Sequence, residues 1–459
     1  MGARLAVLST PFGPAPALRF LLIKKGLGTY MAIVKPFRAL RPDSKVVSDV
    51  AALPYDVYSR REAREAVQGH PLSFLNIDRP ETQFPEDYDM YSPEVYKKGA
   101  EMLQAEIQDG TFIRDSEDSY YIYELTMDGR TQTGIAALSS IDDYLDDVCK
   151  KHENTVEEKE QDRIRHVDTL SCQTGPIFLT YRSKKEITEV VSREKESEPV
   201  YDFTSDDNIR HRVWRISDSG IVAQLERAFS EVPCTYIADG HHRAASAVKV
   251  GLKRREEHPD YTGDEQFNYF LSVLFPDDEL KIMDYNRVVK DLHGHYPEDL
   301  MLSIEENFVV FNVKEAFVPK VKGEMLMYIS GEWFLIRAKD QVIEDRKGDP
   351  VRSLDVSILQ DLILQPLLGI RDPRTDKRIE FVGGIRGVKE LEKRVSQHTY
   401  THVMDGTIEE VGPAVAFAMH PTGIDELLNV ADHDLLMPPK STWFEPKLRS
   451  GIFLHEIEI

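Results

Sequence analysis

The chain has 459 residues, 41% of them hydrophobic and 30% charged, a balance that suits a globular protein of two or three domains rather than one. Lys+Arg 57 against Asp+Glu 79 leaves a net charge of −22, which disfavours nonspecific attraction to nucleic acid or to an anionic membrane. The three cysteines, Cys149, Cys172 and Cys234, are far apart with no CxxC pair, which argues against a structural zinc site and fits a reducing, cytoplasmic setting.

Residues 1–30 read as a leader outside the fold. Pro11, Pro14, Pro16 and Arg19 interrupt any signal-peptide core, and Ala6 stands where myristoylation needs Ser or Thr. No run of eighteen apolar residues occurs, so no membrane-spanning helix is expected. From Met31 the sequence divides into an N-terminal α+β region over 31–140, a central region over 141–300 and a C-terminal α+β region over 301–459. Ile33 to Leu40 predicts a strand. Ser59, with Glu62 three residues on, predicts a capping box at a helix start. His70 to Pro80 reads as loop and strand, and Pro93 to Gly110 as a long helix. Tyr120–Leu125 and Gln132–Leu138 predict a hairpin turning at Asp128-Gly129.

Lys150 to Leu170 is densely charged, so it is either solvated or lines a polar site. Gly175 to Tyr181 reads as a buried strand, Ser183 to Pro199 as a surface helix and loop, and Val213 to Phe229 as strand then helix. A second hairpin is expected around Pro276-Asp-Asp, between Asn268–Phe275 and Leu280–Arg287. A third turns at Ser330-Gly331, between Glu324–Ile329 and Trp333–Arg337. Helical periodicity over Asp355–Leu368, a strand at Ile379–Gly384, a helix over Val388–Val395, a strand over Ala414–Met419 and a helix from Thr422 complete the series. Hairpins mixed with single helices define an α+β fold rather than a doubly wound sheet.

The stretch Cys234-Thr-Tyr-Ile-Ala-Asp239-Gly240-His241-His242-Arg243 predicts an apolar strand, a tight turn and a helix opening near His242. Gly240 can take a backbone angle closed to other residues. A helix N-terminus leaves several N–H groups unpaired and carries partial positive charge, so it suits a phosphate. Asp239, Gly240, His241, His242 and Arg243 are therefore the candidate phosphate site; the plain alternative is a corner whose polar residues face water. No metal centre is expected: His152-Glu153 begins like a zincin motif, but Val156 breaks HExxH. Asp239 with one histidine is a weaker candidate for metal than for phosphate. Glu153, Asp162 and Asp239 are the carboxylates nearest to histidines or arginines. A kinase needs such a group to accept a hydroxyl proton, yet the chain has neither a Walker loop nor a protein-kinase signature. In the tail, Lys440, Ser441, Thr442, Lys447 and Arg449 form a cationic patch beside Trp443-Phe444, which reads equally as a structural strap or as a set of substrate or phosphate contacts.

From Met31 onward the sequence resembles the bacterial and archaeal family called domain of unknown function 1015. The resemblance rests on Lys35-Pro-Phe-Arg-Ala-Leu-Arg-Pro42, Pro54-Tyr-Asp-Val57, Lys151-His-Glu-Asn-Thr155, Asp239-Gly-His-His-Arg243, Asp284-Tyr-Asn-Arg287, Phe381-Val-Gly-Gly384 and Pro438-Pro-Lys-Ser-Thr-Trp-Phe444. It implies a ParB/sulfiredoxin-like nucleotide-binding core with additional α+β segments, and a relation to kinases of free serine. On that resemblance Asp239 to Arg243 hold nucleotide phosphate, ATP or ADP with Mg2+ is the donor, and the acceptor is a small-molecule hydroxyl such as free L-serine. Glu153, beside His152, is placed in the base role by its His-Glu context. The rival expectation is a ParB-like nucleotide-binding switch without turnover; the acidic charge weighs against DNA as its partner, and a homo-oligomer stays open.

Overall fold

The computed structural model describes residues 31–402, 408–410 and 414–458; the expected leader over 1–30 lies outside them. The chain forms two compact units. Of the described residues, one takes those within 31–150, 155–279 and 446–458, the other those within 151–154 and 280–445.

The first unit is built on a nine-stranded mixed sheet. Its strands are β1 (Val34–Lys35), β2 (Tyr120–Met127), β3 (Arg130–Ser140), β4 (Cys149–Lys150), β5 (Ile177–Tyr181), β6 (Tyr201–Thr204), β7 (Arg210–Ile216), β8 (Thr235–Asp239) and β9 (Tyr269–Pro276). They lie in the order β4-β8-β5-β9-β3-β2-β7-β6, with β1 also on β3. The β4–β8 and β5–β9 pairs are parallel; the others are antiparallel. β1 stops at Lys35 because Pro36 has no N–H to give the ladder, so the expected strand over Ile33–Leu40 splits into two short ones. The β2–β3 hairpin forms as predicted. Asp128 and Gly129 both take positive φ, 51° and 77°, as a two-residue primed turn requires.

The helices of this unit are α1 (Arg60–Val67), α2 (Pro93–Gln108), α3 (Glu157–Leu170), α4 (Lys185–Glu194), α5 (Ser219–Phe229) and α6 (His241–Glu257). At α1 the Ser59 hydroxyl accepts from the Glu62 N–H at 3.3 Å while the Glu62 carboxylate accepts from the Ser59 N–H at 2.9 Å, the predicted capping box. His70 to Pro80 holds no strand: Leu75–Asp78 is a buried helical turn, and Pro80–Gln83 a 3-10 turn. Ile122, Ile135, Ile177, Leu179, Ile237, Ala244, Val248 and Leu274 sit in one core between the sheet and its helices.

The second unit carries a six-stranded, wholly antiparallel sheet in the order β11-β13-β12-β15-β10-β14, where β10 is Tyr285–Val289, β11 Phe308–Val313, β12 Glu324–Ile329, β13 Glu332–Ala338, β14 Ile379–Gly383 and β15 Val415–Met419. The β12–β13 hairpin turns at Ser330 and Gly331, φ 52° and 84°. The expected hairpin at Pro276-Asp-Asp does not form. β9 pairs with β3 and β5, whereas β10 pairs with β14 and β15. Both strands are buried along their full length, so each takes its neighbours from its own sheet and not from sequence proximity. Helices α7 (Pro297–Glu305), α8 (Lys389–Thr399) and α9 (Ile424–Asp432) belong to this unit. The periodic segment from Asp355 begins as α-helix to Leu359 and continues as a π-helical turn over Gln360–Leu364. The molecule is α+β, with a large mixed sheet.

Candidate functional site

The predicted strand, turn and helix lie in the first unit where expected. β8 runs to Asp239, Gly240 takes φ 93°, and α6 opens at His241. A side chain at Gly240 would be strained twice, since its Cβ would also fall 3.0 Å from Arg243 Nε and Nη2. The Arg243 guanidinium is thus folded back over the turn. Its Nη1 donates to the Pro176 carbonyl at 2.5 Å, while its Nε is buried and has no acceptor among the described residues.

Asp239 accepts from Lys447 Nζ at 3.0 Å and from the Gly240 N–H at 2.9 Å. Burial pushes the Asp239 carboxyl up, but the Lys447 ammonium and then the Arg243 guanidinium outweigh it and hold the group well below the usual carboxylate range. His242 Nε2 accepts from the Val156 N–H at 2.9 Å. Asp239, Lys447 and Arg243 together leave one surplus positive charge at the mouth of a 17-residue helix. An orphaned guanidinium N–H beside a helix N-terminus is the donor set an anion requires.

Behind Arg243 is a partly open cavity of ≈ 30 Å³, lined among others by Tyr55, Asp78, Arg163, Thr174, Arg243 and Ser450. That is room for about two waters. α3 turns a polar stripe inward, with Glu160, Arg163 and His166 all buried, and Arg163 and His166 of that stripe line the cavity. Arg163 binds Asp162 through Nε at 2.9 Å, donates to the Asp78 carbonyl and stacks 4.0 Å from the centre of the Tyr55 ring. Asp162 also accepts from the Tyr96 hydroxyl at 2.9 Å. Asp78 accepts from the Thr174 hydroxyl at 2.7 Å. His166 donates from Nε2 to the Ile77 carbonyl at 3.0 Å; burial, then the charge of Arg163, pushes its pKa down.

The remaining sequence candidates fall as follows. His152 is buried and Glu153 half-buried in Lys151–Asn154, which groups with the second unit, and the His152 carbonyl accepts from the Met437 N–H at 2.8 Å. In the same unit Lys440 has φ 58°, and its carbonyl accepts from Arg287 at 3.0 Å. The Ser441 hydroxyl donates to the Pro438 carbonyl at 2.5 Å, the Ser441 carbonyl accepts from Thr422, and Thr442 is half-buried. Lys447 belongs to the first unit, on Asp239. Sequence reasoning missed Tyr55, Asp78, Arg163, Thr174 and Ser450 as neighbours of Arg243. The i, i+3, i+6 spacing of Glu160, Arg163 and His166 was the one signal that could have pointed there.

Fold and turn together define an α+β protein with a guanidinium folded over the mouth of one helix. A family model described as Protein of unknown function (DUF1015) matches residues 34–357, and the chain belongs to that family. No curated protein matches the chain. Among solved structures it is similar to a conserved hypothetical protein from Pyrococcus furiosus, at 16% identity over 70% of this chain and 95% of that one, with a TM-score of 0.32. It is similar to a mutant free serine kinase in complex with AMP at 15% identity over 69% and 91%, TM-score 0.33. A C-terminally truncated SbnI from Staphylococcus aureus follows at 10% identity over 70% and 87%, TM-score 0.30. Likeness at this level assigns neither an activity nor a ligand. Among the described residues no helix is long and apolar enough to cross a membrane.

Proposed function

We propose that the protein is a nucleotide-dependent kinase of a small-molecule hydroxyl, on a ParB/sulfiredoxin-like core, with ATP or ADP as donor, Mg2+ as its companion ion and free L-serine as the first acceptor to test. The observation that carries this reading is Arg243: a guanidinium folded over a helix mouth with a buried N–H that no described residue accepts. Burying such a donor without a partner costs about 1–3 kcal/mol, which a phosphate oxygen would recover.

In this reading Arg243, the N–H groups that open α6 and Lys447 hold the nucleotide phosphates. Lys447 serves as the second cation while remaining paired to Asp239. Transfer forms a bond from the acceptor oxygen to phosphorus and breaks the terminal P–O bond of the donor. Glu153 is assigned to take the hydroxyl proton. Among the tail residues, Lys440 and Thr442 are kept as acceptor contacts; Ser441, already donating to Pro438, is given to the strap.

The test is incubation of the purified chain with ATP or ADP, Mg2+ and a panel of hydroxyl-bearing amino acids, read by detection of a phosphorylated product. Product formation that Glu153→Gln abolishes supports the reading. Nucleotide binding with no acceptor modified would move the protein to the non-catalytic switch. Absence of nucleotide binding would sink both.

A further inference from the structure

Among the described residues five arginines are buried, and four of them meet a carboxylate: Arg79 on Glu81, Arg163 on Asp162, Arg346 on Asp361 and Arg449 on Asp207. The fifth, Arg287 on β10 of the second unit, is 3% exposed and has no carboxylate partner among the described residues. Its Nη1 donates to the Tyr285 carbonyl and its Nη2 to the Lys440 carbonyl at 3.0 Å, while its Nε has no acceptor among the described residues. Carbonyl dipoles hold the group without neutralising it. The ladder sets it among apolar side chains. Tyr285 precedes it on the same face, Phe381 of β14 and Phe417 of β15 stand directly across, and the Phe381 ring centre lies 5.5 Å from the guanidinium carbon. Trp443 packs on Tyr285 at 5.0 Å between ring centres. Burial pushes the Arg287 pKa down to about 10, whereas at Arg163 the Asp162 carboxylate outweighs burial and holds the charge.

We infer that Arg287 anchors a ligand site in the second unit for a small organic carboxylate with an apolar body. A guanidinium and a carboxylate match in geometry through two parallel N–H···O bonds, and Arg287 keeps its Nε–H open for that contact. They also match in charge. A phosphate dianion would bring a second negative charge into apolar surroundings, and a neutral ligand would leave the buried cation as it is. The apolar body would lie against Phe381 and Trp443, both half-buried. Phe381 stands on the edge strand β14, so its ring turning outward opens the way in. The site gives Asp284-Tyr-Asn-Arg287, a motif that the turn at Asp239 leaves unused, a role beyond its ladder. This inference does not rest on the kinase reading.

The experiment is calorimetric titration of the full chain with isovalerate, with isovaleramide as its neutral counterpart and inorganic phosphate as competitor, at one ionic strength. Isovalerate should bind, and the amide at least about tenfold more weakly, because the charge-assisted bonds are lost. Excess phosphate should leave the isovalerate affinity unchanged. Arg287→Lys keeps the charge but loses the fork and should weaken isovalerate roughly tenfold; Arg287→Met should abolish its binding. Arg243→Ala should leave isovalerate binding intact, which separates this site from the helix mouth. Circular dichroism accompanies every variant; if Arg287→Met does not fold, the wild type and Arg287→Lys decide. A wild type that binds no isovalerate into the millimolar range overturns the inference. So does equal binding of the amide, displacement by phosphate, an affinity indifferent to Arg287→Lys, or a loss of binding in Arg243→Ala.

Discussion

Two arginines line one cavity of the first unit and are held in opposite ways. Arg163, on the buried stripe of α3, has its charge met by Asp162, an N–H met by the Asp78 carbonyl and its face covered by Tyr55. Among the described residues Arg243, in the first turn of α6, has one carbonyl partner and a buried Nε with none. Arg163 is satisfied within the fold, whereas Arg243 keeps a donor without an acceptor among the described residues, open to water or to a ligand. The contrast separates the supporting network from the candidate ligand contact, although both residues have the same chemistry and face the same space.

The contrast breaks first at Arg163. Removing one partner of a buried ion pair leaves the other as an uncompensated charge, at a cost of about 3–5 kcal/mol. Arg163→Ala should therefore lower the urea midpoint of the first unit sharply, and Asp162→Ala should do the same, with little added by the double substitution. Additive losses from the two would show that the pair is not a unit.

At Arg243 the expected loss is in binding. Hydrogen bonds to charged groups are worth roughly 1.5–3 kcal/mol net, so Arg243→Ala should weaken nucleotide binding about ten- to a hundredfold, measured by calorimetric titration. Arg243→Lys keeps the charge, loses the fork and should fall between. The urea midpoint should move little in either variant. A large drop in stability with affinity untouched would make Arg243 a second Arg163 and remove the phosphate site.

The turn at Asp239-Gly240 and the helix after it were legible in the sequence because their determinants are local: an apolar strand, a residue free to adopt positive φ and small residues that carry α6 inward. The Ser59 cap and the turns at Gly129 and Gly331 were readable for the same reason. The cavity was not, because Tyr55, Asp78, Arg163, Thr174 and Ser450 come from five separate stretches, and no spacing encodes their meeting. The misread hairpin at Pro276 shows the limit from the other side. The turn residues were turn-like, but β9 and β10 are buried on both faces, Ser272, Asn286 and Arg287 included, so no alternation of side chains revealed which neighbours each would take.

The smallest expected effect concerns Lys447, which adds a cation to the Arg243 side of the comparison while pairing with Asp239. The Asp239 carboxyl is depressed in the folded chain by Lys447 and Arg243 despite its burial, and in the unfolded chain it titrates near about pH 3.9. A depressed carboxyl stabilises the fold above its unfolded value, and that stability is lost as pH falls toward the folded one. Lys447→Met removes the nearer cation and leaves Arg243, so Asp239 should titrate closer to its ordinary range. Above about pH 5 the wild type should then be modestly more stable than the variant by a constant margin. Below about pH 4 the margin should narrow, because the wild type alone has that increment to lose. Urea midpoints of both proteins over this range decide it. A margin that stays constant to low pH would mean that Lys447 contributes by packing rather than by charge, and would leave Arg243 as the sole cation assigned to the turn.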